Sequence, residues 1–215
     1  MTEFQGTGLR SVNNLQTDPS NNPDRIGAVC GSDSHRAFLK NGYSEYYILE
    51  KVAERETGAI DPIFATWDMR RGQQLEPLAK ECAEGHYNRK IIDLPFRLHP
   101  TIRFYGASPD GIWADDPSTL IEIKCKKKKN HLKFILNSDF TEHKQQMLNQ
   151  ICCHYDKGVR SVDIMYFHPD FEEEGMRLRV INFKPTEEEI KEHEQKIADL
   201  IWEIQQTQEK IKGLV

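Results

Sequence analysis

The sequence predicts a mixed α/β fold in which helices flank a central mixed β-sheet. Two observations carry this prediction: helical spacing dominates up to about residue 85, and short β-rich segments separated by turn residues begin at Ile91. The chain has 215 residues, of which 38% are hydrophobic and 29% charged, the composition of an ordinary globular domain. We expect one domain over residues 24–215, after a flexible arm over residues 1–23 rich in Gly, Asn, Ser, Thr and Pro.

The first predicted elements are helices that end at glycines. They are residues 35–42, which stop at Asn41 and Gly42, residues 43–55, closed by Gly58, and residues 69–84, closed by Gly85. Pro77 lies inside the third helix, where a proline forfeits one backbone hydrogen bond.

Strand-like segments follow from Ile91 onward, interrupted by one helix over residues 140–155. These segments are residues 91–98, 101–108, 111–114, 119–125, 161–167 and 176–183, with a turn at residues 115–118. The last helix begins with a capping box of Thr186 and Glu189 and carries an isoleucine-rich stripe up to Gly213. This helix is expected to cap the core, with a subunit interface as the alternative.

Several function classes are excluded by missing motifs. Five cysteines without a Cys-x-x-Cys pair argue against a disulfide framework or a four-thiolate metal site. No Gly-x-Ser-x-Gly or phosphate-cradling Gly-rich motif occurs, which sets aside serine hydrolases and nucleotide-driven motors. No long apolar run or apolar leader is present, so we expect a cytoplasmic protein without a membrane partner.

Charge is distributed unevenly along the chain, whose net charge is −5. Residues 124–133 contain six lysines and no acid, whereas the C-terminal helix is acidic. Four of those lysines, Lys126, Lys127, Lys128 and Lys129, are consecutive and are expected to form a solvated loop. The same loop would lie along a DNA backbone if the neighbouring strand carries an active site.

The residues that point most directly to a chemical function are Asp110, Glu122 and Lys124. In an extended strand Glu122 and Lys124 share one face, so we expect a charged face opposite a core face. The hairpin before that strand has the length needed to bring Asp110 beside Glu122. Two adjacent carboxylates repel one another unless a cation lies between them, and hard oxygen ligands suit Mg²⁺ or Mn²⁺. The alternative is an ordinary surface hairpin with a Glu and Lys pair.

These residues belong to a longer pattern. Pro-Asp, a spacer and then Glu-x-Lys is the PD-(D/E)-x-K nuclease signature, which implies a restriction-endonuclease-like core. Together with RIGAVCGS at residues 25–32, RGQQLEP at residues 71–77, SPDG at residues 108–111 and a late helical glutamine, it resembles the lambda exonuclease family, also called YqaJ-like viral recombinases. The blocks occur in the family's order between residues 25 and 183.

The resemblance implies a role for each matching position. Asp110, Glu122 and the backbone carbonyl of Ile123 would bind the metal, and Lys124 would be the catalytic lysine. Glu76 would add an acid from the helix over the site, and Gln150 would be the active-site glutamine, with Gln146 as a substitute. A pocket for the 5′-terminal phosphate would comprise Arg25, Ser32 and Ser108, and arginine suits phosphate because its planar fork donates two parallel hydrogen bonds.

The resemblance implies an exonuclease that degrades linear double-stranded DNA 5′ to 3′ with one or two Mg²⁺ ions and leaves 3′ overhangs for recombination. It also implies a homotrimer that works with a single-strand annealing protein, in the host cytoplasm if the gene is phage-borne. Two alternatives stay open: a structure-specific endonuclease of the same superfamily, and a non-catalytic scaffold that binds DNA ends.

Overall fold

The computed structural model describes residues 22–61 and 66–215. The predicted arm at residues 1–23 therefore lies outside the described residues except for Asn22 and Pro23. The helices are α1 Glu45–Thr57, α2 Trp67–Tyr87, α3 Lys128–Asn137, α4 Lys144–His154, α5 Glu174–Arg177 and α6 Glu187–Lys212. The strands are β1 Val29–Cys30, β2 Phe38–Leu39, β3 Gly42–Tyr43, β4 Ile91–Ile92, β5 Arg97–Leu98, β6 Tyr105–Ala107, β7 Gly111–Trp113, β8 Asp116–Lys124, β9 Ser161–Phe167 and β10 Leu178–Phe183.

Within these residues the main sheet is mixed, as predicted. Its strand order is β10-β9-β8-β7-β4, in which β8 and β9 run parallel and the other neighbours run antiparallel. A smaller sheet has the order β1-β6-β5, with β1 and β6 parallel. In the described part of the chain no helix is long and apolar enough to span a membrane.

Helices cover both faces of the central strand β8. Leu120 belongs to the larger core cluster, which includes residues of α1, α4 and α6, whereas Ile121 and Ile123 pack with Ala79 and Ala83 of α2. Central strands that are covered on both sides read as continuous apolar runs, and Leu120 to Ile123 are all buried. Glu122 lies on the predicted charged face and is nevertheless only 2% exposed, because α4 covers that face.

The predicted helix ends are partly confirmed. Helix α1 begins after Ser44, whose side chain accepts a hydrogen bond from the Tyr47 N–H, and it ends at Gly58 with a left-handed φ of 67°. Helix α2 runs past the predicted stop at Gly85 and ends at Asn88, which adopts φ 50°. Asparagine is the other common residue in this left-handed cap position, so Gly85 was the wrong choice.

Residues 35–42 do not form the predicted helix. They form a short 3₁₀ turn over Ser34–Arg36 and then the β2–β3 hairpin, in which Leu39 pairs with Gly42. Gly42 has φ 123°, a conformation that L-residues rarely adopt. Asn-Gly between apolar residues is a hairpin signal as well as a helix stop, and the hairpin is the outcome here.

The later strands and helices differ from prediction mainly at their boundaries. Segment 91–98 splits into β4 and β5 of different sheets, and β8 already begins at Asp116, which shortens the predicted turn. Helix α3 was missed because the lysine run at its start obscured the apolar residues behind it. The capping box of α6 is confirmed, and four apolar residues of its stripe are buried against the core, which supports the capping role.

Candidate active site

The β7–β8 hairpin brings Asp110 to the strand that carries Glu122. Gly111 pairs with Ile121, and the Asp110 N–H donates to the Ile121 carbonyl at 3.0 Å. The Asp110 carboxylate in turn accepts from the Ile123 N–H at 2.6 Å. Asp110 is therefore bound through its backbone to the residue before Glu122 and through its side chain to the residue after it, which fixes its position beside Glu122. The hairpin length thus produces the predicted pairing of the two acids.

The Glu122 carboxylate has partners at both oxygens. Oε1 accepts from Lys124 Nζ at 2.6 Å and from Gln146 Nε2 at 2.7 Å, and Oε2 accepts from Gln150 Nε2 at 2.5 Å. Lys124 Nζ also donates to Gln146 Oε1 at 2.9 Å. Both candidate glutamines, four residues apart on α4, therefore hold Glu122, and the choice between them becomes a shared role.

Burial lowers the pKa of Lys124, but the charge and hydrogen bond of Glu122, together with the charges of Asp110 and Glu142, outweigh it, so the pKa is raised above its usual value. The pKa of Asp110 is also raised, although its closest charged neighbours carry the same sign of charge as its own carboxylate. Burial, followed by repulsion from Glu122 and Glu76, raises the pKa of its carboxyl well above the ordinary range. The carboxylates at this point of the fold therefore repel one another in the absence of a bound cation.

Glu76 reaches this cluster from α2 on the opposite side of β8. Its carboxylate pairs with Lys80 at 2.7 Å, and the same amine pairs with Asp93 at 2.7 Å. Pro77 lies within the helix and has no N–H to donate to the carbonyl of Gln73. Although Glu76 is paired with Lys80, its negative charge is close enough to Asp110 to contribute to the raised pKa of the Asp110 carboxyl.

The donor set fits a hard divalent cation. Within residues 22–61 and 66–215, three His, Cys, Asp or Glu side chains do not converge on one point. The carboxylates of Asp110 and Glu122 and the backbone carbonyl of Ile123 nevertheless supply oxygen ligands. Two carboxylates are enough for Mg²⁺, because this ion commonly completes its coordination shell with water. Gln150 Oε1 is buried and has no hydrogen-bond partner among the described residues. A hydrated cation would relieve the carboxylate repulsion and give this oxygen a partner.

Two of the residues predicted to bind the 5′ phosphate, Ser32 and Ser108, lie at one edge of the smaller sheet. Strands β1 and β6 are parallel, so Ser32 and Ser108, which follow them, leave the same edge. Gly31 packs against Gln146 and Asn149 of α4, which brings this edge next to the helix that holds Glu122. Arg25 stacks on Phe96 at 4.4 Å and lowers the pKa of Cys30 against the larger effect of burial.

The lysine run is not entirely a loop, since Lys128 and Lys129 form the first turn of α3. Lys126 pairs with Glu142 at 3.0 Å, Lys127 with Asp68 at 3.1 Å and Lys128 with Asp170 at 2.7 Å. The partners of these three lysines are themselves more than half exposed. Such exposed ion pairs are weak and exchange readily for phosphates.

Two features near the site were not predicted from the sequence. Arg71 Nη1 donates to the Cys125 carbonyl at 2.5 Å and so links α2 to the end of β8. Its place in the RGQQLEP block was the available signal. The second is a buried ionic network of Asp33, Lys51 and Glu54, in which Lys51 Nζ lies 3.1 Å from each partner carboxylate.

This network holds the segment that leads to Ser32. Glu54 accepts from the Gly27 N–H at 2.8 Å, and Asp33 accepts from the Cys30 N–H at 3.1 Å. Gly27 adopts φ 66° beside the Arg55 side chain. Both ends of the segment are therefore fixed to α1 through one buried amine.

The family model of the YqaJ-like viral recombinase domain matches residues 22–155. The chain belongs to this family. The match includes Arg25, Ser32, Asp110, Glu122 and Lys124 of this YqaJ-family chain. No curated protein is a significant match.

Solved structures agree with the family. The alkaline exonuclease LHK-Exo from Laribacter hongkongensis is 26% identical over 87% of this chain and 93% of its own, with a TM-score of 0.77. The same exonuclease in complex with dAMP is 27% identical over 88% and 94%, with a TM-score of 0.78. A phage-related exonuclease from Haemophilus somnus 129PT has a TM-score of 0.60 at 10% identity over 87% and 96%, which shows the fold alone. The YqaJ-family chain thus has the PD-(D/E)-x-K fold that its sequence predicts.

Proposed function

We propose that the chain is a Mg²⁺-dependent exonuclease that degrades one strand of linear double-stranded DNA from its 5′ end. The observation that carries this proposal is the cluster of Asp110, Glu122 and Lys124 at the β7–β8 hairpin. It occurs on a fold shared with an alkaline exonuclease, in a chain of the viral recombinase family. Removal of the 5′ strand leaves the 3′ overhang that strand annealing needs.

Asp110, Glu122 and the Ile123 carbonyl would hold Mg²⁺, or Mn²⁺ in its place, as one or two ions. The ion supplies Lewis-acid activation of water and stabilises charge at the scissile phosphate. Lys124, held by Glu122 and Gln146, orients the attacking water and offsets the negative charge of the phosphate. Gln150 keeps the Glu122 carboxylate oriented, and Glu76 adds negative charge beside Asp110.

Arg25, Ser32 and Ser108 are proposed to bind the 5′-terminal phosphate. Serine hydroxyls donate single hydrogen bonds, and the arginine fork donates two, so together they suit a phosphate monoester with its extra charge. Binding at a fixed distance from Asp110 would set the position of the bond that is cut. Lys126, Lys127, Lys128 and Lys129 would contact phosphates of the backbone without reading sequence.

Our proposal for the assembly is supported by the family alone and not by the geometry of the site. We propose that residues 24–215 form one exonuclease domain, that three copies form a ring and that a single-strand annealing protein is the partner, in the host cytoplasm. Light scattering on the purified chain is expected to give three times the 25.0 kDa monomer mass. A monomer mass at all concentrations would contradict the trimer, and no retention on an immobilised single-strand annealing protein would contradict that partnership.

The function is tested with a linear duplex labelled at the 5′ end of one strand and internally in the other. With Mg²⁺ and a 5′ phosphate, we expect mononucleotides from the 5′ ends and retention of the complementary 3′ ends. A matched duplex with a 5′ hydroxyl is expected to react more slowly, since its terminus has no phosphate for Arg25 to bind.

A covalently closed circle of the same sequence is the control, because it has no end. Cleavage of the circle would show the structure-specific endonuclease, and binding of ends without cleavage would show the scaffold. Release of mononucleotides from the 3′ end would contradict the proposed direction.

A further inference from the structure

Trp67 opens helix α2 with its indole 60% exposed to solvent. Two cations flank the ring: Lys127 Nζ lies 5.1 Å and the Arg71 guanidinium carbon 5.9 Å from its centroid. Trp202 is equally exposed, at 59%, so the two flanking cations and not exposure alone distinguish Trp67, and they leave ring surface open.

Trp67 lines a cleft with a volume of about 710 Å³. Its walls carry five cations, Arg70, Arg71, Lys127, Lys128 and Lys129, and one carboxylate, Asp170. Because the whole chain has a net charge of −5, this concentration of positive charge is a local feature and not a consequence of composition. The cleft is suited to a polyanion.

The cleft adjoins the candidate active site. One wall is tied to β8 by the hydrogen bond from Arg71 to the Cys125 carbonyl, one residue after Lys124. Leu75, also in the wall, precedes Glu76. Helix α2 lies on the Ile121 face of the sheet, whereas Gly31, which precedes Ser32, packs against α4 on the opposite face. A DNA strand that passes the metal ligands would therefore enter the cleft beyond the cut.

We propose that this cleft binds an unpaired stretch of DNA, with one base stacked on Trp67 and the phosphates on the surrounding cations. The proposal rests on the proposed exonuclease function, which determines the direction in which the DNA strand passes from the metal ligands into the cleft. Cationic grooves with exposed aromatic rings are the usual way to bind single strands, because every base offers a π-face. A duplex hides those faces inside its stack, so it would use the cations and leave the indole without a role.

The test compares Trp67→Ala with Trp202→Ala, a matched control whose side chain is 59% exposed on α6. The probes are fluorescent oligothymidylate and a fully paired, blunt duplex with 5′-hydroxyl ends, measured by anisotropy in EDTA. Trp67→Ala is expected to weaken oligothymidylate binding about tenfold and to leave duplex binding within about twofold. Trp202→Ala changes neither, and Trp67→Phe, which keeps a ring, retains most of the affinity.

Arg70→Ala should weaken both probes and reduce the salt dependence of binding, since it removes one phosphate contact. Unchanged oligothymidylate binding in Trp67→Ala would overturn the proposal, as would equal losses on both probes, which would make the cleft a duplex surface. Thermal unfolding of each variant separates a lost contact from a lost fold. Binding in EDTA is independent of cleavage, so this result and the test of the exonuclease activity can fail separately.

Discussion

Asp110→Asn is expected to lower the rate of DNA cleavage by about 10³-fold while leaving the fold intact. Asparagine can still accept the hydrogen bond from the Ile123 N–H, but it removes one of the charges that would bind the cation. Steady-state cleavage of the 5′-phosphorylated duplex measures the effect. Lys124→Met is expected to have a loss of similar size, because no other amine contacts Glu122 among the described residues.

The stability of Asp110→Asn distinguishes a functional carboxylate from a structural one. Burial, Glu122 and Glu76 all disfavour the charged form of Asp110 in the folded protein. Loss of that charge should therefore not lower the free energy of unfolding in EDTA. Asp199→Asn, on the exposed side of α6, is the matched control and should retain full activity. Activity near the wild-type value in Asp110→Asn would remove the site assignment.

Lys51→Met is expected to destabilise the protein by about 3–5 kcal/mol. The side chain is 5% exposed, and its replacement leaves the carboxylates of Asp33 and Glu54 without their shared cation. Burial lowers the pKa of Lys51, but Asp33 and Glu54 together raise it above its usual value, so the amine is charged in the folded state. Urea denaturation measures the change.

Lys191→Met on the exposed face of α6 is the control for Lys51→Met and should change stability by less than about 0.5 kcal/mol. Lys51→Arg keeps the charge and should recover part of the loss. The network also fixes the segment that leads to Ser32. We therefore expect the folded fraction of Lys51→Met to discriminate less between 5′-phosphate and 5′-hydroxyl ends. A loss below about 1 kcal/mol would contradict the structural role of this amine.

The sequence was most informative where local spacing sets geometry. The pairing of Asp110 with Glu122 depends on one hairpin, and the start of α6 depends on Thr186 and Glu189, so both could be predicted from a few neighbouring residues. Glu76 and Gln150 were identified only through the resemblance to the family, because no local pattern in the sequence predicts that they lie near the hairpin.

The sequence was least informative where contacts between segments far apart in the chain determine the structure. The local pattern assigns Glu122 to the charged face of β8 but gives no sign that α4 covers that face, because α4 is separated from β8 by about twenty residues of chain. The Asp33–Lys51 pair joins a loop to a helix. Trp67 precedes the helix predicted over residues 69–84, and only its position beside Lys127 in the fold supports the role that we propose for it.

Direct measurement of metal binding tests the central claim that Asp110 and Glu122 form a divalent cation site. Mn²⁺ is titrated into the metal-free wild type and into Asp110→Asn, and the free ion is followed by electron paramagnetic resonance. We predict saturable binding of at least one Mn²⁺ per chain to the wild type, competed by Mg²⁺, and a large loss of affinity in Asp110→Asn. Equal Mn²⁺ binding by the two proteins would contradict the account.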